Sequence, residues 1–382
     1  MFYLYYLIFY VGLGILYTFA SVYLKANTIL TAPQVTMLMA FVPVVSFVSQ
    51  NAFAYISDKA KQHKLVLALV LLAAAVLSVL VYWNAKTNYL LFLLVLYLLF
   101  AFFYTVPMVL SENFTLEYAK QKQIPYGKIR LFGSLGYALS GQIANFFIKP
   151  LGLSIIFYLY SACMILALLL VFRFPEITAE QNEEETMAKQ ENLYRMLLQN
   201  KAFLKILLCS FFIIGSTQIT TTFFGIYVTD YANLDLNFLG YVTLVSAGTE
   251  IPMMFYAHHF IERYGTYKVL ALAAIVSGLR FLAYVLVPTG PVILLATATH
   301  GIGYGAAISA IMYLINKEIP SHIRAVAISL NNSLAFGIGT FVVSMLGSIF
   351  FNAQSVYLCL FALEVVGLLI CLPYLHSKKE QV

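Results

Sequence analysis

The chain has 382 residues, of which 62% are apolar and 10% charged. Soluble domains run at roughly 45–50% apolar and about 25% charged, so a water-soluble monomer, a disordered chain and an acidic solvating tail are all excluded. The net charge of +6 comes from 22 Lys and Arg against 16 Asp and Glu, and its meaning depends on where along the chain the basic residues fall.

The first run, MFYLYYLIFYVGLGILYTFASVYL, is too long for a signal-peptide core and has no basic stretch before it. It predicts a membrane span over 2–24. Further runs long enough to cross a bilayer follow at 34–56, 65–83 (closing on Trp83, an interface aromatic), 89–111, 128–148 and 153–173. A polar, acidic stretch, FPEITAEQNEEETMAKQENLYRMLLQNK, then divides the chain. Six more runs follow at 203–228, 237–258, 267–287, 291–314, 325–349 and 355–375. The expected fold is an all-α membrane protein of twelve transmembrane helices in two six-helix halves, 1–174 and 203–382, joined by a linker at 175–202. Cys163, Cys209, Cys359 and Cys371 each lie inside an apolar run with no CxxC pair, which predicts small core residues rather than metal ligands or disulfides.

Basic residues orient the bundle. With the N-terminus inside, the outer loops hold only Lys25, Lys86 and Lys149, and Arg280 lies within a span; every other Lys and Arg falls in an inner segment. Both termini are therefore expected to be cytoplasmic, in the plasma membrane, and the positive charge requires no nucleic-acid partner. The halves echo each other. AYISDKAKQHK after the second span and HHFIERYGTYK after the eighth place Asp58-Lys59 and Glu262-Arg263 at matching helix ends, and QIPYGKIR after the fourth span answers EIPSHIR after the tenth. A parallel six-helix repeat is the transporter pattern in which the site lies between the halves at mid-membrane.

An ionisable group in hydrocarbon costs at least ~2.5–3.5 kcal/mol and marks function by default. Glu112, Glu250, Arg280, His300 and Glu364 lie in or near spans. From the helical rise, Arg280 and His300 sit about 12 and 15 Å from the outer ends of their helices, Glu250 about 20 Å, and Glu364 near mid-span. Arg280, as the one deep positive charge, holds a nearby carboxylate ionised until the two separate, and His300 is able to titrate near neutral pH or to bond a hydroxyl. Glu112 and Arg130 fall close to the inner side by residue counting. Gly133, Gly136 and Gly141 allow close helix contact after Arg130. Should the helices extend a turn or two beyond the apolar runs, Glu112 and Arg130 face one cavity and hold a polyol through paired hydrogen bonds.

These residues resemble the major facilitator superfamily, in its lactose permease and phenylpropionate permease branch, over nearly the whole chain. YGKIRLFGSLGYALSG is similar to the family's fifth-helix motif, with Glu112 at the spacing of its fourth-helix acid, and the resemblance implies a substrate-binding role for Glu112 and Arg130. SQNAFAYISDK matches the cytoplasmic gate motif through Gln50, Asp58 and Lys59, with Glu262 and Arg263 as their repeat. LGYVTLVSAGTEIPMMF, SGLRFLA and LLATATH resemble the eighth, ninth and tenth helices and carry Glu250, Arg280 and His300 into the proton-coupling set, to which Glu364 is added. Gly303 stands where the sugar permeases have an acid, leaving Glu250 as the expected proton carrier beside His300 and Glu364. Tyr137 replaces a sugar-stacking Trp and offers a ring face and a hydroxyl.

The expected function is a proton-driven symporter of a sugar or oligosaccharide, with Glu112, Arg130, Tyr137 and His300 lining the site. An aromatic acid or nucleoside is the alternative solute, and an exporter of amphipathic compounds fits less well. No HExxH, GxSxG or P-loop motif suggests an enzyme. No metal and no cofactor beyond the coupling proton is expected, and the partners are solute, proton and lipid, around a monomer.

Overall fold

The computed structural model of the protein describes residues 1–60, 62–85, 87, 89–175, 195–320, 323–349 and 353–375. Most of the expected linker, 176–194, and Lys61, Lys86, Lys378 and Lys379 lie outside the described residues. Among the described residues twelve long helical segments follow one another and no strand occurs: α1 (Phe2–Asn27), α2 (Ala32–Ala60), α3 (His63–Ala85), α4 (Leu90–Lys122), α5 (Tyr126–Leu151), α6 (Ile155–Val171), α7 (201–231), α8 (Phe238–Tyr264), α9 (Thr266–Leu286), α10 (Gly290–Glu318), α11 (324–349) and α12 (Ala353–Cys371); nine of them, all but α5, α6 and α7, are long and apolar enough to cross a membrane by length and composition. Each falls on one of the expected apolar runs.

The ends of α4 and α5 differ from those runs in a way that matters for function. α4 is interrupted at Thr105, whose hydroxyl bonds back to the Ala101 carbonyl at 3.0 Å and which lies two residues before Pro107, a residue with no N–H to offer the helix. It then continues well past the end of the apolar run at 111, through SENFTLEYAKQK to Lys122. Lys120 and Lys122 occupy its last turn, where cations complement the helix dipole. Gln123 terminates it in the left-handed conformation (φ 53°), and the Ile124 N–H bonds back to the Ala119 carbonyl at 2.9 Å. α5 then starts at Tyr126, directly after Pro125, so only a short turn separates the two helices.

The helices form two compact units, Met1–Glu180 with Thr222–Leu244, and Gln181–Thr221 with Val245–Val382. In the first unit α1 and α5 run in close contact. A Cβ on Gly136 would come within 2.3 Å of the Leu7 carbonyl oxygen, so only glycine admits this approach. Further along α5, Asn145 donates to the Asn237 carbonyl at 2.6 Å, Gly141 faces Gly240, and Lys25 pairs with Asp230. The segment that ends α7 and begins α8 is thereby tied to α1 and α5. The second unit is built on an apolar core that includes Ile213, Leu270, Ala274, Ile311 and Leu314. All four cysteines are free thiols. Cys209 and Cys371 nevertheless meet in that core, with Sγ atoms 3.9 Å apart; their sequence separation of 162 residues gave no sign of it.

Candidate functional site

The extension of α4 and the early start of α5 place Glu112 and Arg130 on facing helices of the first unit. Arg130 Nε lies 3.4 Å from Glu112 Oε1, with both side chains about one-third exposed. Tyr10 on α1 completes the group. Its hydroxyl donates to the same Glu112 oxygen at 3.3 Å, and its ring lies under the Arg130 guanidinium, 4.4 Å from centroid to Cζ, within cation–π range. Gly133 leaves the room for this: a Cβ there would sit 2.8 Å from both Arg130 Nη1 and the Tyr10 ring. Tyr137 follows Arg130 by seven residues, two helical turns, on the same stripe of α5. It is half-buried and rests against Gly14 of α1. The group offers fixed donors on Arg130, acceptors on Glu112 and the ring faces of Tyr10 and Tyr137.

The second unit gathers Glu250, Arg280, His300 and Glu364. Arg280, 4% exposed on α9, places Nη1 2.7 Å from His300 Nδ1. A guanidinium only donates, so Nδ1 accepts and the imidazole carries its hydrogen on Nε2. That nitrogen lies 3.8 Å from Glu250 Oε2. The ring stacks on Tyr304 (centroids 5.2 Å, 9°). Two local features accompany the meeting. After His300, α10 opens into wider π-type turns over Gly301–Gly305, a feature frequent at functional sites. Gly301 touches α8 backbone so closely that a Cβ would fall 2.1 Å from the Thr249 carbonyl oxygen, and the Gly301 N–H bonds Thr249 Oγ1 at 3.3 Å. Glu364 on α12 is 1% exposed and makes its contact with Ser216 of α7 at 2.5 Å. It forms no ion pair with Arg280 among the described residues.

The expected gate residues behave differently from these. Gln50 is bound within the first unit, donating to Ser46 Oγ at 2.8 Å and to the Thr105 carbonyl at 3.0 Å, and so ties α2 to α4 at its interruption. Lys59 is exposed over the Tyr55 ring. The Asp58 side chain lies outside the described residues. Glu262 pairs one turn back with His258 at 3.1 Å, and Arg263 lies over Tyr264. Tyr10, Ser216 and Tyr304 were not anticipated. Tyr10 lies in a stretch with aromatic residues on every face of α1 (Phe2, Tyr3, Tyr5, Tyr6, Phe9), so helical spacing does not mark it.

Comparison with known proteins agrees with this architecture. The model of the MFS_1 like family matches residues 1–361. The chain is 26% identical to the maltose permease of Geobacillus stearothermophilus over 99% of this chain and 94% of that protein. It is 23% identical to the putative nucleoside transporter YegT of Escherichia coli over 86% and 78% of the two chains. Among solved structures, the nucleoside transporter NupG superposes with a TM-score of 0.83 at 16% identity, covering 99% of this chain and 98% of that one, a likeness of fold. Nearly full-length coverage by the family model makes the chain a multi-pass membrane transporter rather than an enzyme, with a small molecule as its substrate: it belongs to the MFS_1 like family of the major facilitator superfamily.

Proposed function

We propose that the protein is a proton-coupled symporter of a neutral polyol, a sugar or short oligosaccharide before others, working in the plasma membrane as a monomer with both termini cytoplasmic. The Glu112–Arg130–Tyr10 group carries this reading. A vicinal diol both donates and accepts, and the group supplies an acceptor-only carboxylate beside a donor-only guanidinium. Tyr137 adds a ring face for a sugar's apolar side, and His300 in the second unit is a further candidate partner for a solute hydroxyl. The Arg280–His300–Glu250 chain, with Glu364, is the proton-coupling set, and the cytoplasmic gate residues are Gln50, Asp58 and Lys59 in the first unit and Glu262 and Arg263 in the second. Transport proceeds by alternating exposure of one site to the two sides. No cofactor beyond the proton enters this scheme. The likeness to a maltose permease over 99% of the chain supports a sugar.

A nucleoside is the second reading. Its ribose presents the same vicinal diol and its base suits the Tyr10 and Tyr137 rings, and the likeness to YegT and NupG favours it. Maltose or uridine added to lightly buffered vesicles holding the protein is expected to make the medium more alkaline, and whichever solute does so is the better substrate. Uptake of either without alkalinisation rejects symport.

A further inference from the structure

Glu364 poses a proton-counting problem. Its Oε1 lies 2.5 Å from Ser216 Oγ, and the same Oγ lies 3.0 Å from the Ile213 carbonyl oxygen. Ser216 has a single hydroxyl hydrogen, and the carbonyl only accepts. Both contacts are two-centre hydrogen bonds at once only when Ser216 donates to Ile213 and Glu364 donates to Ser216, which requires a proton on the Glu364 carboxyl. Burial points the same way: the other oxygen, Oε2, is buried with no hydrogen-bond partner, and a bare carboxylate in such a place is strongly disfavoured.

Across the α9–α12 contact lies the complementary defect. Arg280 keeps Nε and Nη2 buried and unbonded, using only Nη1 on His300. The two helices are close at this level: a Cβ on Gly278 would lie 3.5 Å from Glu364 Cβ. The other titratable groups on helices packed against α12 are Tyr267, Lys268 and Tyr284 on α9 and Lys201, Lys205, Cys209, Tyr227, Asp230 and Tyr231 on α7, with Tyr357, Cys359 and Cys371 on α12 itself; Gly339–Ile349 of α11 presents no charged residue. Lys268 lies three helical turns before Arg280, and Lys201 and Lys205 lie three or more turns before Ser216, so Arg280 is the cation at the level of Glu364.

We propose that Glu364 is a proton-binding site of the transporter, loaded while it bonds Ser216 and unloaded when it pairs with Arg280. This rests on the symport reading for its role in transport, but the site itself does not. On unloading, the carboxyl O–H bond breaks and the proton passes to water. The carboxylate takes the two free guanidinium N–H groups, on Nε and Nη2, while Nη1 stays on His300. Ser216 is a positioning residue for the loaded state.

Infrared spectroscopy of the full chain in lipid vesicles tests the site without any solute. The carbonyl band of protonated carboxylic acids is expected to lose a component in Glu364→Gln and to keep that component in Glu250→Gln. In Ser216→Ala it is expected to move to the frequency of an unbonded acid, a readout that stands even where Glu364→Gln fails to fold. No lost component in Glu364→Gln, or no movement in Ser216→Ala, overturns the proposal. Transport supplies a second arm: under an imposed proton gradient Glu364→Gln is expected to let the accumulation ratio of maltose and uridine fall to unity, with exchange of internal for external solute retained. Uphill accumulation by Glu364→Gln overturns the coupling role. Failure of the unaltered protein to accumulate either solute rejects symport instead, and the infrared arm still decides whether Glu364 holds the proton.

Discussion

Replacing Arg130 by lysine is expected to abolish uptake of solute while the protein still folds and inserts. The substitution keeps the positive charge, so any loss is due to geometry. Arg130 does three things that one ammonium cannot do together: it reaches Glu112 through Nε, lies flat on the Tyr10 ring, and leaves its remaining N–H groups in a fixed fork for a ligand. A hydrogen bond to a charged group contributes ~1.5–3 kcal/mol. Losing two of them to a bound diol weakens binding roughly a hundredfold or more. Equilibrium dialysis with labelled maltose and uridine measures this directly, and binding by Arg130→Lys within about threefold of the unaltered protein removes Arg130 from the site. Tyr10→Phe separates the two functions of Tyr10. It deletes the bond to Glu112 but keeps the ring under Arg130, so a smaller loss is expected, near the ~1.5–3 kcal/mol of one charged hydrogen bond.

Much of this arrangement could be read before any coordinates, and the parts that could not have physical causes. The spans were visible because twenty-residue apolar runs have no other use in so apolar a chain. Hydropathy also showed where charge does not belong, and Arg280, His300 and Glu250 do meet. It failed at the end of α4. SENFTLEYAKQK is polar, so the apolar run stops, yet the helix goes on because those residues are good helix formers that do not need to lie in hydrocarbon. The contact between Glu112 and Arg130 depends on that continuation. Tyr10 was hidden for the opposite reason: in MFYLYYLIFYVG nearly every residue is apolar or aromatic, so periodicity does not single out one face. Ser216 carried no signal at all, since a serine in a span ordinarily bonds its own helix carbonyl. It does so here as well, and with both contacts two-centre that bond places the donor at Glu364. The wider turns after His300 and in α7 and α11 are products of packing, beyond what local propensity encodes.

Glycine placement gives the largest expected effect on folding, because the two units depend on it at single points. Gly136→Ala would set a methyl group 2.3 Å from the Leu7 carbonyl oxygen and 3.2 Å from the Leu7 Cα. The obstacle is backbone, so no rotamer change relieves it and α1 must move away from α5. Overpacking alone costs ~1–3 kcal/mol, and separating the helices also pulls Tyr10 from Glu112 and Arg130, so binding is lost together with stability. Gly301→Ala repeats the case in the second unit, with a Cβ 2.1 Å from the Thr249 carbonyl oxygen; α10 must draw back from α8, and His300 leaves Glu250. Gly127→Ala and Gly248→Ala are the controls. Both glycines lie in helices with nothing within 4 Å of an added Cβ, so alanine there is expected to be neutral or to stabilise by up to ~1 kcal/mol through helix propensity. Thermal unfolding of the four variants in detergent is expected to divide them into two pairs, with Gly136→Ala and Gly301→Ala melting several degrees lower. A Gly136→Ala protein that melts with Gly127→Ala shows that the α1–α5 contact has slack, and then the alignment of Tyr10 over Arg130 must be held by something other than the close approach of those helices.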